Sequence, residues 1–317
     1  MIRTALSLLT WFAFLIAALA LLARFVPVVD HTILIISALS PYLLLGAGIP
    51  AVLLLLSRRS WWAVSVAVML AAGAAFAVLP RFAASGPAAP EGVPIRVLTA
   101  NLWEGSADPR ALIAMARERT DLVVVQELTP ECAHDLSGLE SEFPYRAVDP
   151  RAGAAGAGIW SRYPIVGSRR DSGYQLSMLS ATLRVPGAAS DTLVLAAHIV
   201  GPWPNPIDDW RREMTKLPDT LRTAAEVADP GTVIAAGDFN ATVDMQPFRG
   251  LLRGGFRDAG QQSGAGLAPT FPANRSVPPL IGIDHILTYN GTASDFDTVR
   301  IPGSDHLGVI ATIHVPG

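Results

Sequence analysis

The sequence predicts an α/β protein: two mixed sheets flanked by helices, preceded by three transmembrane helices. Three observations carry this expectation. Only 16% of the 317 residues are charged and 50% are hydrophobic, whereas globular domains run nearer 25% charged. The deficit is uneven and steepest in the first 90 residues, which hold five Arg (Arg3, Arg24, Arg58, Arg59, Arg81), no Lys and one acid, Asp30. Beyond them, short apolar runs alternate with polar-faced helical stretches in an order that suits two sheets with flanking helices better than one doubly wound parallel sheet.

Three apolar runs stand out in residues 1–79: Ala5–Ala23, Ile33–Leu56 and Trp61–Leu79, each free of charge. A helix needs about 20 residues to cross the roughly 30 Å hydrocarbon layer, so each run suits a span, the third narrowly. The first also has the parts of a signal peptide, with Arg3 ahead of the apolar stretch and Ala18-Leu19-Ala20 near its end. With the N-terminus in the cytoplasm, Arg3 and the Arg58-Arg59 turn lie inside, Arg24 and Arg81 lie outside, and residues 91–317 are extracytoplasmic. Residues 80–94 carry Pro80, Pro87, Pro90 and Pro94 among Gly and Ala, which resist helix and sheet, so a linker is expected there.

Residues 95–317 form the expected catalytic domain. Of the chain's 24 basic and 27 acidic residues, 19 and 26 lie beyond residue 90, a net charge of −7 there against −3 for the whole chain. An acidic domain is a poor non-specific nucleic-acid binder. Ile95–Ala100 is the first expected strand. Asp108-Pro109 gives an N-cap and a first-turn proline for a helix to Arg119. Leu122–Val125 is a strand buried on both faces, and Thr129-Pro130 opens a short helix. Strands follow at Gly158–Trp160, Ser180–Val185, Thr192–His198 and Thr232–Ala236. Helix Asp209–Val227 is expected to break at Pro218. Ile283–Thr288, Thr298–Ile301 and Gly308–His314 end the chain as strands. The single cysteine, Cys132, excludes an intrachain disulfide and a Cys-based metal site.

Chemistry-bearing residues recur at the ends of these strands. Asn101 follows the first, Glu127 the second, and His198 ends Thr192–His198. Asp238 and Asn240 lie in Gly237-Asp238-Phe239-Asn240, Asp284 opens Ile283–Thr288 in Asp284-His285, and Ser304-Asp305-His306 precedes the last strand. Hard oxygen donors (Glu127, Asn101, Asp305) suit Mg²⁺ or Mn²⁺. A carboxylate such as Asp238 can deprotonate a water, an amide such as Asn240 can donate to a phosphate oxygen, and a histidine beside a carboxylate can stay cationic against developing negative charge. Together they describe in-line displacement at phosphorus.

In this order the six motifs resemble those of the endonuclease/exonuclease/phosphatase superfamily, which includes DNase I-like nucleases, inositol-polyphosphate 5-phosphatases and neutral sphingomyelinases. The resemblance runs from about Ile95 to His314. It implies a four-layer α/β sandwich with one site at the end of two packed sheets. It also implies roles: Glu127 as main metal ligand with Asn101 and Asp305 in the metal shell, Asp238 as water-activating carboxylate and Asn240 as phosphate-orienting amide. His306 would contact phosphate with Asp284 as its partner, and His198 would stabilise the pentacovalent transition state. His285, His134 and His314 are expected to be structural, and Ser304 to brace the Asp305 loop. Gly158–Pro164 resembles the family's strand-and-turn framework. The Trp- and Pro-rich stretch Gly201–Trp210 suits loop packing or a rim at the site mouth, and Arg211 and Arg212 suit a solvated helix face.

The resemblance leaves the substrate open. The acidic domain and its short tether to a membrane anchor favour a lipid-linked phosphate or pyrophosphate. The layout is also similar to membrane members of the superfamily associated with teicoplanin-type glycopeptide resistance, for which an undecaprenyl pyrophosphate-like carrier is the natural candidate. An extracellular nuclease is the second reading and wants a basic, aromatic groove. A non-catalytic scaffold is the third and would have lost a site residue; all eight are present.

Overall fold

The computed structural model describes residues 2–46, 61–86 and 91–317. Three helices come first: α1 (Ile2–Ala23), α2 (His31–Ala38) and α3 (Ser40–Gly46). Asp30 caps α2 through its side chain, which accepts from Ile33 N at 2.9 Å. The expected second span, 33–56, is therefore two helices as far as residue 46, with the break at Leu39; the remainder of that run lies outside the described residues. Pro41 is the physical cause, since it has no N–H to carry the helical ladder across the junction. Helix α4 (Trp61–Val78) leads into a 3₁₀ turn, Leu79–Phe82. Among the described residues one segment, Val64–Phe82, is long and apolar enough to cross a membrane, while Leu8–Ala23 is a shorter apolar helix.

Two six-stranded sheets follow. The strands are β1 (Val93–Asn101), β2 (Leu122–Gln126), β3 (Tyr145–Asp149), β4 (Ala157–Ser161), β5 (Ile165–Asp171), β6 (Met178–Leu183), β7 (Thr192–His198), β8 (Val233–Asp238), β9 (Arg257–Asp258), β10 (Asp284–Tyr289), β11 (Thr292–Arg300) and β12 (Leu307–Val315). The first sheet runs β11-β12-β1-β2-β4-β3 and the second β5-β6-β7-β8-β10-β9. Val97, Val124, Ile159, Val194, Ile234 and Ile286 interleave in the core between them. The outer face of the first sheet packs on Leu112 and Ala116 of helix Pro109–Arg119. The outer face of the second packs on helix Ile207–Ala228. The result is helix, sheet, sheet, helix, and each layer buries one apolar face.

Three local expectations differ from the structure. Strands β3 and β5 lacked a sequence signal because both are edge strands; β5 is largely exposed, so nothing forces alternation. Helix Ile207–Ala228 continues through Pro218. Pro218 is exposed, while Trp210, Met214, Leu217 and Leu221 form an unbroken buried stripe that holds the helix past one missing hydrogen bond. The expected linker is also tied down at its start, where Ser85 and Gly86 both donate backbone N–H bonds to the Gln262 carbonyl.

The N-terminal helices are packed onto the domain. Val28, Ile33, Leu34 and Ala38 join the cluster that contains Ile199, Phe239 and Phe248. Arg24, just past α1, and Arg81, just past α4, both pair with the buried Asp244 carboxylate; Arg81 reaches it in bidentate fashion at 2.9 and 2.5 Å. Gly73 of α4 faces Leu21 of α1, and Ala67 packs with Phe14. Helices α1 and α4 therefore run in the same direction and end at the same carboxylate. Removing one partner of a buried ion pair typically costs about 3–5 kcal/mol because the other charge is left uncompensated. Asp244→Ala should lower the thermal unfolding midpoint of the full chain in detergent well below that of the wild type. An unchanged midpoint would show that the clasp carries no weight.

Candidate active site

Strand register brings the site together. Across the second sheet, His198 on β7 is paired with Asp238 on β8, and Asp238 in turn with Asp284 on β10. In the first sheet Asn101 on β1 is paired with Gln126 on β2, so Asn101 and Glu127 emerge side by side. Gly237 permits the close approach of β7. At its φ of +153°, an added Cβ would lie 1.9 Å from the Ala197 carbonyl oxygen, so a side chain there would push the two strands apart.

The side chains form one connected set. Asn101 Nδ2 donates to Glu127 Oε1 at 2.9 Å and to Asp238 Oδ2 at 3.2 Å, bridging the two sheets. Glu127 Oε2 accepts the Glu104 backbone N–H at 2.7 Å. His306 Nδ1 bonds Asp284 Oδ2 at 2.8 Å, and its Nε2 lies 3.9 Å from both Asp238 and Asp305. His198 Nε2 lies 3.9 Å from Glu127 and from Asp238. Asp238 also accepts the Asn240 backbone N–H at 2.8 Å. All eight residues singled out in the sequence thus converge. The side chain of Asn240 spends its N–H groups on Ile199 O at 2.9 Å and on Asp238 Oδ2 at 3.2 Å. In this arrangement it braces Asp238 instead of offering a free donor. Ser304 Oγ donates to the Asn101 carbonyl at 2.7 Å and accepts the His306 N–H, bracing the Asp305 loop.

Backbone strain concentrates here. Among the described residues, seven non-glycine residues have positive φ, and Trp103, Glu104, Glu127 and Asn240 are four of them. Such conformations persist only where the surroundings over-determine them. At Trp103 the bond from its N–H to Asn101 Oδ1 (2.9 Å) does so. No single-sequence signal announces this strain.

The electrostatics separate the two histidines. Burial pulls His198 down to about 4, so it is a neutral hydrogen-bond donor and not a cation. Burial also acts against the charge of His306, but Asp284 on its Nδ1, with Asp238 and Asp305 nearby, holds it up to about 10. The cation beside a carboxylate is therefore His306. Burial, then the neighbouring Asp284, pushes Asp238 up to about 7, and burial and Glu127 raise Asp305.

The residues fit a hard divalent cation. Three carboxylates surround the His306 ring and Glu127 lies by His198, Asp238 and Asp305 are raised by burial first and by neighbouring carboxylates second, and Asp284 Oδ1 is buried without a hydrogen-bond partner. Asp238, Asp284 and His306 bring three ligand-type atoms within 4.8 Å of one another. His306 and Asp284 already bond each other, however, which leaves Glu127, Asn101 and Asp305 as the oxygen donors not bonded to a histidine, with the Glu127 oxygens and Asn101 Oδ1 each accepting one N–H.

Two supports, Glu213 and Thr270, were not legible in the sequence, and His285 is bonded as the structural residue expected. Glu213 is buried and accepts the N–H of Val200 and of Gln175, each at 2.8 Å, which holds the segment after His198. Thr270 Oγ1 accepts the N–H of Ile283 and Asp284. His285 bonds Asp258 Oδ2 through Nδ1 and the Ala241 carbonyl through Nε2, each at 3.0 Å. Arg211 and Arg212 pair with Asp208 and Asp209 on the helix surface.

A family model described as the endonuclease/exonuclease/phosphatase family matches residues 98–306. Comparison with curated protein sequences returns no significant match. Several solved structures share the fold. A humanised form of D. rerio TDP2 is 19% identical, with a TM-score of 0.59 over 70% of this chain and 99% of its own. An endonuclease/exonuclease/phosphatase from Bacteroides vulgatus is 17% identical, with a TM-score of 0.56 over 70% and 99%. The 3′ phosphatase NExo from Neisseria, bound to a product DNA hairpin, is 16% identical, with a TM-score of 0.53 over 68% and 98%.

His285 gives a pH signature. Both its ring nitrogens face acceptors, so both must carry protons. Burial opposes this charge, but the Asp258 carboxylate and the Ala241 carbonyl outweigh it and raise the group above its ordinary 6.5. The stability it contributes is full below about 6.5 and is lost as pH rises through the raised value. Unfolding midpoints of wild type and His285→Gln, followed from mildly acidic to alkaline pH, should converge on the alkaline side. Parallel curves would contradict the doubly protonated ring.

Proposed function

The chain belongs to the endonuclease/exonuclease/phosphatase family, and on that premise we propose that it is a membrane-anchored, metal-dependent phosphohydrolase acting on a lipid-linked phosphate or pyrophosphate. The observation that carries the chemistry is the set of three carboxylates, Asp284, Asp238 and Asp305, around the His306 ring, linked to Glu127 through Asn101 at the shared end of two sheets. Glu127, Asn101 and Asp305 would hold Mg²⁺ or Mn²⁺, which supplies charge neutralisation at the phosphoryl oxygens. Asp238, raised to about 7, takes a proton from the attacking water. The water oxygen bonds to phosphorus as the bond to the leaving oxygen breaks. The His306 imidazolium, held by Asp284, faces the charge that grows on the phosphoryl group, and His198, whose charge burial disfavours, donates a hydrogen bond to it.

Anchoring is supported by helix direction. Helices α1 and α4 run in the same direction and both end at Asp244. We read the anchor as three spans with the domain extracytoplasmic. Arg24 and Arg81 both pair with Asp244, which offsets part of their charge and reduces their weight against an extracytoplasmic domain. The lipid-linked substrate is supported by the net charge of −7 beyond residue 90 and by the packing of the anchor against the site-bearing segments. The DNA product held by the Neisseria phosphatase favours a nuclease as the second reading.

Purified full-length protein should release phosphate from a prenyl pyrophosphate with Mg²⁺ and stop with EDTA. Glu127→Gln and Asp238→Asn should each cut turnover by at least about a hundredfold at unchanged expression and unfolding midpoint. Plasmid nicking without phosphate release would replace this reading with the nuclease.

A further inference from the structure

The N-terminal segment reaches the mouth of the site. Its apolar residues Phe25, Val26 and Val29 are 65%, 39% and 47% exposed, directly after α1, whose Leu15 and Leu22 are 55% and 60% exposed. His31 then sets its ring against Trp203, with centroids 4.7 Å apart, and its Nε2 bonds the Pro202 carbonyl at 2.9 Å. Trp203 is otherwise open, at 71% exposure. Its loop follows His198 and rests on Asn240: an added Cβ on Gly201 would lie 3.5 Å from Asn240 Oδ1 and 3.3 Å from the Trp203 carbonyl. Exposed apolar residues therefore follow one another along the chain from α1 through Phe25 and Val29 to His31, whose ring meets Trp203, and the Trp203 loop borders Asn240, which bonds Asp238.

We propose that this rim binds the apolar chain of an amphiphilic phosphate, so that the head group enters the site from the bilayer side while its chain lies against Trp203 and Phe25. The proposal rests on the lipid-phosphohydrolase reading and names how that substrate is recognised. Continuity selects the occupant. Whatever covers the exposed apolar face of α1 also meets Phe25 and Val29, and for a membrane-spanning helix that is a hydrocarbon chain. Tryptophan suits the transition, with an apolar ring and one polar N–H at the water boundary. The same rim is unsuited to a nucleic-acid backbone. Arg249, whose guanidinium lies 5.7 Å from the Phe25 ring, spends its donors on the Val243, Asp244 and Arg24 carbonyls, and Arg211 and Arg212 are committed to Asp208 and Asp209.

The test uses the full chain in lipid nanodiscs and two substrates with the same pyrophosphate head, one on a long prenyl chain and one on a short, water-soluble chain. The wild type should prefer the long chain in kcat/KM. Trp203→Ala should reduce the long-to-short ratio about tenfold, the scale of one partly buried apolar side chain. Phe25→Ser should reduce it in the same direction. Trp203→Leu, which keeps apolar surface, should recover most of the ratio and separates chain recognition from a folding defect. A ratio unchanged in both Trp203→Ala and Phe25→Ser overturns the rim while leaving the phosphohydrolase intact. Failure of the wild type to hydrolyse either pyrophosphate, with DNA cleaved instead, overturns the function and the rim together.

Discussion

Burial of Asp238 between the two sheets is the constraint to which the rest of the site answers. A carboxylate cut off from water must be hydrogen-bonded or must take up a proton. Here it receives Asn101 from one sheet and the backbone and side chain of Asn240 from the other. These bonds require Asn101 at the end of β1, a left-handed Asn240, and a glycine at position 237 so that β7 can approach. The left-handed backbone of Glu127 belongs to the same arrangement, because it turns the chain out of β2 and lets the carboxylate meet Asn101 and the Glu104 N–H.

The same crowding sorts the protonation states. His198 and His306 both stand 3.9 Å from Asp238 and both are buried, yet burial lowers His198 while His306 is raised against its burial. The difference is Asp284. It bonds His306 directly, whereas His198 has no carboxylate within hydrogen-bond reach. A neutral donor and a held cation beside one carboxylate are a useful pair for phosphoryl transfer. One can donate without accumulating charge and the other can oppose the charge that develops.

The N-terminal helices belong to this architecture more closely than a tether would. Asp244 lies four residues beyond Asn240 and receives both Arg24 and Arg81. Tyr42 of α3 donates to the Leu280 carbonyl at 2.7 Å, four residues before Asp284. His31 meets the loop after His198. The three segments that carry the second sheet's site residues are thus each touched by a different part of the N-terminal region. A small cavity of about 40 Å³, lined by Tyr42, Arg81, Asp244, His285 and Asp284 among others, lies where they meet.

Much of this was legible along the chain. Apolar runs of the right length marked most of the strands, capping residues marked helix starts at Asp108 and Thr129, and the chemistry-bearing residues stood at strand ends. Family resemblance ordered them into one site. Edge strands β3 and β5 escaped because exposed strands carry no enforced alternation, and Pro218 misled because its helix is held by a buried stripe on the other face. By itself the sequence determined the partition into an apolar region and an acidic α/β domain, and the residue types at the site, because periodicity and composition act between near neighbours in the chain. Tertiary structure alone decided that His198 is neutral and His306 charged, that Arg24 and Arg81 share Asp244, and that the N-terminal segment borders the site. Desolvation and Coulomb forces act through space, and the partners they join here, such as Arg81 and Asp244 or Asn101 and Asp238, lie more than a hundred residues apart in sequence.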